Sequence, residues 1–478
     1  MRLLLLLFVL GSGVSAQDYG LTTWVNPVRV YAGYSMVVQV KVDYTSTVGH
    51  LYFTSLSTTE PKITVTPWCG WANPNCWGAG DSKFQWNSSN NPLYTHVWIT
   101  AAADTAPGQY HVTLTTTANN VVRSLNVPIT VLAAPSAITP WERPRVSGAP
   151  PGKGTWEGLM TSIAQTWCDP KKPYANTYSF GVESQVWYYD GAWVYFKVAD
   201  YTNDPRWKDC ALNIAQQYRQ YVSSGNGAIP GWRVFTQGLR RAYEETGTAS
   251  YRDAVGLIAS NGLYSSSAGD PRDTVARETA YILRAWTDAH LLGFPTDATK
   301  VGRAVMYLLG HLRVFSNLPP QESTALEHQT FMGGIAMQAL AYYYDHCTPD
   351  PRIPPTIKQY LDWLWQYGWD GNQGKLVWNP HPTNTGFPRH CQSGCQVYNR
   401  DLMNLTIWAY WWYWHHTGDD VYRQRGDEMF GYAVADPIDY SGKIFSQNFR
   451  DSIPAMALRF WRATSKQTGG RVKGGSSR

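Results

Sequence analysis

Residues 398–422 read YNRDLMNLTIWAYWWYWHHTGDDVY. The stretch opens on the polar Asn399, Arg400 and Asp401, continues through an apolar, aromatic middle, and stops at Thr417-Gly418. Glycine takes the left-handed conformation that ends a helix, so the pattern predicts one helix of a helical hairpin, with a second helical pattern following it. The phrase recurs upstream. Arg241 to Tyr251 repeats it with Thr246-Gly247 as the stop, Ala285-Trp286 to Gly293-Phe294 is a looser copy, and Ala341-Tyr342 to Pro349-Asp350 uses proline as the breaker. Val198 to Tyr201, with Asp204-Pro205 and Trp207 behind it, makes a fifth, and Ala455 to Thr464 reads as a sixth first helix with no partner after it.

From Val198 through Ala242, Ala285, Ala341 and Ala409 to Ala455 the steps are 44, 43, 56, 68 and 46 residues. Two helices of about a dozen residues plus turns need roughly 40 residues, so the chain reads as a helix-pair repeat with insertions. Six hairpins form either an open solenoid or a closed ring. The helical stretch Thr155–Cys168 ahead of the first unit can complete the sixth, which is expected of a ring, whereas a solenoid needs polar caps at both ends. In this phrasing, over about Trp141 to Ser465, the chain resembles the (α/α)6-toroid superfamily, a large group of carbohydrate-active enzymes. That resemblance rests on architecture and repeat phrasing. It implies an all-α toroid acting on a glycan.

Ahead of the repeats the texture changes. Met1-Arg2, a short apolar core and the small residues Val14-Ser15-Ala16 read as a secretory signal over residues 1–16, too short to span a bilayer. Residues 17–133 alternate β-branched and aromatic runs (28–31, 36–42, 94–99, 110–115, 121–131) between turn signals. They predict about seven strands in an antiparallel, immunoglobulin-like sandwich. Asp104 to Tyr110 resembles the turn-and-tyrosine entry to a late strand of bacterial immunoglobulin-like modules. Residues 134–151 are a proline-rich linker, 152–465 the toroid, and 466–478 a disordered basic tail. The fold expectation is therefore multidomain: an all-β immunoglobulin-like sandwich followed by an all-α (α/α)6 toroid.

The formal charge of +5 comes from Arg2 and from Lys466, Arg471, Lys473 and Arg478, which leaves the folded body neutral. Nothing here favours nucleic acid or membrane insertion as a partner. Seven cysteines in an exported chain are expected to be mostly oxidised. Cys69 with Cys76, Cys168 with Cys210, and Cys391 with Cys395 are the candidate bridges, and Cys347 is left over. Zinc on His381, His390, Cys391 and Cys395 is the competing reading, but the spacing matches no standard motif. No metal or other cofactor is expected. Trp68, Trp71 and Trp77 on the Cys69–Cys76 loop are candidate sugar contacts, although a packing role for this domain is favoured.

In a ring of hairpins the starts of six inner helices converge on one face, where helix dipoles and polar first-turn residues make a concave site. If the first helix of each pair is the inner one, the contributors follow in order. They are Glu183 and Gln185, then Trp232, Arg233 and Gln237, then Arg277, Glu278 and Tyr281. After these come Glu327, His328 and Gln329, then Asn399, Arg400 and Asp401, and last Asn448, Arg450 and Asp451. A glycosidase needs two opposed carboxylates, one protonated and one ionised. Glu278 and Glu327 are the expected pair, with Asp401 in reserve. A lyase would instead use Tyr281 or His328 as base, with Arg277 and Asn399 neutralising a uronate. Trp232, Arg233, Gln329, Arg400 and Arg450 are expected to bind substrate. The Gly368–Val397 segment, read as a long loop, adds Trp369 and Trp378 as sugar platforms. Asp401 and Asn399 also read as plain caps of the fifth helix, His328 as a structural histidine, and Arg277, Arg400 and Arg450 as an ion-pair ring. The neutral body favours a hydrolase acting on a polysaccharide or oligosaccharide; a lyase comes second, and a non-catalytic glycan-binding scaffold is the reading from another class.

Overall fold

The structure is a computed structural model. It describes residues 19–23, 28–33, 35–44, 48–67, 83–87, 93–118, 121–133, 148–169, 182, 184–262, 273–317, 329–377, 402–435 and 441–460. The expected signal, the Cys69–Cys76 loop with its tryptophans, most of the linker, the Cys391–Cys395 pair with His381 and His390, and the tail lie outside these residues. The chain divides into two compact units, the first mainly residues 1–136 and the second most of the remainder, in which helix α7 (Ala298–Asn317) begins.

The first unit carries nine described strands: β1 (Tyr19–Thr23), β2 (Val28–Tyr31), β3 (Ser35–Tyr44), β4 (Val48–Thr58), β5 (Ile63–Pro67), β6 (Lys83–Asn87), β7 (Leu93–Ala101), β8 (Gly108–Ala118) and β9 (Val121–Leu132). They form a four-stranded sheet in the order β1-β3-β7-β5 and a five-stranded sheet in the order β2-β9-β8-β4-β6. Every second residue faces the same side of a strand, and the buried alternates Val28/Val30, Val38/Val40, Val97/Ile99, Val112/Leu114 and Val127/Ile129/Val131 gather into one core. The strand count exceeds the seven expected. One pairing also departs from the antiparallel expectation: β2 runs parallel to β9, with Val28 opposite Ile129. The Tyr110 hydroxyl donates to the Ala106 carbonyl at 2.8 Å, four residues upstream, which pins the turn into β8.

The second unit is helical. Its inner helices are α2 (Gly191–Thr202), α4 (Gln237–Thr246), α6 (Asp273–Leu291), α8 (Thr330–His346), α10 (Asn404–Thr417) and α12 (Gly442–Arg459). Each packs on the next, and α12 packs back on α2, so the six close a ring. Outside them lie α1 (Lys153–Cys168), α3 (Arg206–Ser224), α5 (Ala249–Asn261), α9 (Ile353–Trp363) and α11 (Asp420–Ala433). The repeat markers Val198, Ala242, Ala285, Ala341, Ala409 and Ala455 all fall on inner helices. Helices α8 and α10 are buried along nearly their whole apolar length, as helices in a second layer of packing must be.

Closure works as the repeat required. Helix α1 docks on α12 and α2, with Trp156 fully buried against Tyr201, Phe430 and Phe449 and its Nε1 donating to Ser452 Oγ at 3.0 Å. The Cys168–Cys210 disulfide, with Cα atoms 5.7 Å apart, ties the end of α1 to α3. Cys347 carries a free thiol.

The segment after α9 differs from the long loop expected. Leu364–Gly368 winds as a π-helix, and Trp369–Asp370 (β10) pairs with Lys375–Leu376 (β11) as a short hairpin, the Asp370 carboxylate accepting from the N–H groups of Asn372 and Gln373. Residues 378–397 lie outside the described residues.

Candidate functional site

The inner helices present one stripe each to the ring interior, and side-chain contacts across the ring identify it. On α6, Trp286 donates to the Ala259 carbonyl of α5 and so marks the outward face. The opposite stripe carries Arg277, Tyr281, Arg284 and Asp288. Asp288 accepts from Thr236 Oγ1 (2.6 Å), Arg240 Nε (2.9 Å) and the Tyr342 hydroxyl (2.7 Å), which joins α4, α6 and α8. Tyr281 lies under the Arg450 guanidinium of α12, on the far side of the ring, with Cζ 5.5 Å from the ring centroid. Arg450 Nη2 reaches Gln237 Oε1 of α4 at 3.4 Å. Side chains therefore bridge the ring interior.

Around Tyr281 the charges alternate. Arg277 and Arg450 favour its ionised form, while Glu278 and Asp451 oppose it; burial dominates and pushes the phenol well above its ordinary range. Glu278 is buried and ion-paired with Arg277, whose Nε donates to Oε1 at 3.0 Å; the other carboxylate oxygen has no partner among the described residues. Asp451 is 1% exposed and stands 3.9 Å from Arg450 Nε, with Oδ2 unpartnered. Burial pushes its carboxyl up to about 6, against the pull of Arg450. Asp190, at the start of α2, is also pushed up to about 6 by burial, although Arg450 and the N–H groups of Gly238 and Trp193 favour its charge.

The backbone here is strained. Tyr189 and Asp190 both adopt left-handed φ angles, 61° and 64°. A bulky side chain rarely does so, and such outliers gather where a site over-determines the conformation. The turn brings Asp190 Oδ2 to the first turn of α4, where Gly238 N donates to it at 3.1 Å.

The sequence-predicted residues fare unevenly. Arg277, Glu278, Tyr281 and Arg450 come together as described. Gln329 lies at the N-terminus of α8 with no side-chain cap bond. Trp232 and Arg233 sit in a short 3-10 turn ahead of α4; Trp232 is 38% exposed, while Arg233 is tied to α3 through Tyr218 and Tyr221 and lies over the Trp187 ring. Trp369 is a correction. It is 1% exposed, packs between Trp365 and Tyr432 and donates to Glu428, so neither ring face is open to a sugar. Helix α10 starts at Asn404, after an uncapped Met403, rather than at Asn399–Asp401. Asn404, part of a sequon, is buried against Asn448. Glu183, Glu327, His328, Trp378, Asn399, Arg400 and Asp401 lie outside the described residues. Asp288 and Arg284 were missed, because repeat phrasing marks helix starts and these two stand in the second half of α6. Among the described residues no cluster of His, Cys, Asp and Glu is poised to hold a metal ion, and no helix is long and apolar enough to cross a membrane.

No family profile matches the chain, and no curated protein matches it in sequence. Among solved structures it is similar to a family 76 glycoside hydrolase from a bovine Bacteroides thetaiotaomicron strain, at 8% identity over 90% of this chain and 98% of that one, with a TM-score of 0.34. It is also similar to domains 4 and 5 of the S-layer protein SbsC (13% identity, 24% of this chain and 54% of that one, TM-score 0.17). A third likeness, to the alpha-2-macroglobulin of E. coli in its native conformation, has 10% identity over 91% of this chain and 26% of that one, with a TM-score of 0.24.

Proposed function

We propose that the protein is a secreted glycan-active enzyme, a glycoside hydrolase working inside an (α/α)6 toroid behind an N-terminal immunoglobulin-like domain. The domain limits proposed are those drawn from the sequence: signal 1–16, sandwich 17–133, linker 134–151, toroid 152–465 and tail 466–478. One observation carries the functional reading: carboxyls of different character share the ring interior around Tyr281. Asp451, pushed up to about 6, holds its proton further into the neutral range than an ordinary aspartate does and is suited to protonate a leaving oxygen. Glu278, ion-paired with Arg277, is suited to the ionised role of base or nucleophile. Trp232 at the entry to α4 offers an exposed aromatic face to a sugar. Glu327, Asp401 and His328 remain proposed contributors.

A lyase is the second reading, favoured by the buried, partly unpartnered guanidinium of Arg450 over Tyr281, which would neutralise a uronate. Burial opposes it by raising Tyr281, a poor base when its proton is held so firmly.

Product analysis on neutral and uronate-containing polysaccharides separates these. New reducing ends without absorbance of an unsaturated uronate, lost in Asp451→Asn and Glu278→Gln, support the hydrolase. Absorbance growing with cleavage replaces it with the lyase. Binding without turnover on every substrate returns the toroid to a glycan-binding scaffold.

A further inference from the structure

We propose that the ring interior binds a small monovalent anion, a halide or a carboxylate, on Arg284. This side chain is 2% exposed, and its Nε, Nη1 and Nη2 all lack a hydrogen-bond partner among the described residues. It lies over the Tyr281 ring, with Cζ 5.6 Å from the centroid. A guanidinium does not give up its proton, and burying one without a counter-charge is strongly unfavourable, so such groups are nearly always paired.

Asp288 of the same stripe and Asp451 of α12 are each already engaged. Asp288, one turn on, is saturated by Thr236, Arg240 and Tyr342. Asp451 already stands beside Arg450. The facing helix instead offers a second unmatched group at the same level. Tyr342 of α8 meets Asp288 of α6, so Gln338, one turn before Tyr342, stands level with Arg284, one turn before Asp288. Gln338 is 7% exposed, and its Oε1 has no hydrogen-bond partner among the described residues. The two ends of a glutamine amide are assigned from hydrogen bonding, so its NH2 can face the same ligand as the guanidinium. One unmatched cation and one amide suit a single negative charge.

A halide and the carboxylate of an acidic sugar share this chemistry. The hydrolase reading rests on Asp451 and Glu278 and does not need Arg284, so loss of turnover with anion binding intact would count against that reading alone.

The test is thermal unfolding of the full chain and of Arg284→Met at constant ionic strength, titrated with chloride, formate, glucuronate and glucose. Bulk salt effects are common to both proteins. The expected result is a saturable rise in Tm with chloride and formate that Arg284→Met lacks. Glucuronate acting well below the formate concentration, with glucose inert, would assign the site to a sugar carboxylate; equal potency would assign it to a free ion. No saturable shift in the native chain, or the same shift in Arg284→Met, overturns the proposal. If Arg284→Met does not fold, Arg284→Lys keeps the charge without the planar fork and should weaken the anion roughly tenfold; unchanged affinity overturns it too.

Discussion

Asp451 shows what a single residue of this site reveals in sequence and what it hides. The repeat assigns it to an inner helix but places it at that helix's start, whereas it stands midway along α12 (Gly442–Arg459), and its chemistry comes from desolvation by helices far away in the chain. A carboxyl with a folded-state pKa near 6, above an unfolded value of about 4, binds more protons folded than unfolded between those limits. The folded state therefore loses stability as pH rises from about 4 to 6 and regains it on acidification. Asp451→Asn, which mimics the protonated form, should match the native chain near pH 3, below both values, and exceed its stability at pH 7.5 by up to roughly 3 kcal/mol. Denaturant unfolding at the two pH values tests this, and a pH-independent difference would show that the burial attributed to Asp451 is wrong. Arg284 and Asp288 were not legible at all. Which stripe of α6 faces the axis depends on contacts with α4, α8 and α12, and no local pattern encodes those.

Among elements, the α2–α4 and α10–α11–α12 junctions show two kinds of constraint. A methyl added to Gly238 would meet Asp190 Oδ1, Ala192 Cβ and Trp193 N inside van der Waals contact, so only glycine lets α4 approach the start of α2. Gly238→Ala should cost about 1–3 kcal/mol by overpacking, and it should disturb Asp190 as well; calorimetry of the variant beside a distant surface Gly→Ala control checks the size. The second junction is ionic. Asp427 accepts from Arg459 Nε and Nη2 (2.7 and 2.6 Å), from Arg423 Nη1 and from Trp411 Nε1, while Arg459 Nη1 donates to the Gly148 carbonyl. Removing one partner strands a buried charge, so Asp427→Ala should destabilise by about 3–5 kcal/mol. A loss under 1 kcal/mol in chemical denaturation would mean that water reaches the pair. Neither junction could be read from residue types, since Gly238 and Asp427 look like ordinary helix-surface choices. The aromatic run of α10 identified a buried helix for the opposite reason: it is apolar all round, and for the same reason it gave no direction to its faces.

At the scale of the whole molecule, the repeat markers located six inner helices because every unit must solve the same packing problem, and a spare helix at one end announced closure. The strand count and the parallel β2–β9 pairing were less legible, since short alternating runs fix a strand but not its neighbour. Closure itself can be tested. Helix α1 is held twice, by Trp156 buried among α2, α11 and α12 and by the disulfide from Cys168 to Cys210, 42 residues apart. Trp156→Ala should remove about 3–5 kcal/mol, and reduction should remove about 4 kcal/mol on loop-closure grounds. If α1 is an integral stave of the ring, each change should move one cooperative loss of helical signal to lower denaturant, and both together should move that same transition further. An early, separate step in reduced Trp156→Ala, with the remaining helices melting where they did before, would mean that α1 only leans on a ring already closed by the α12–α2 contact.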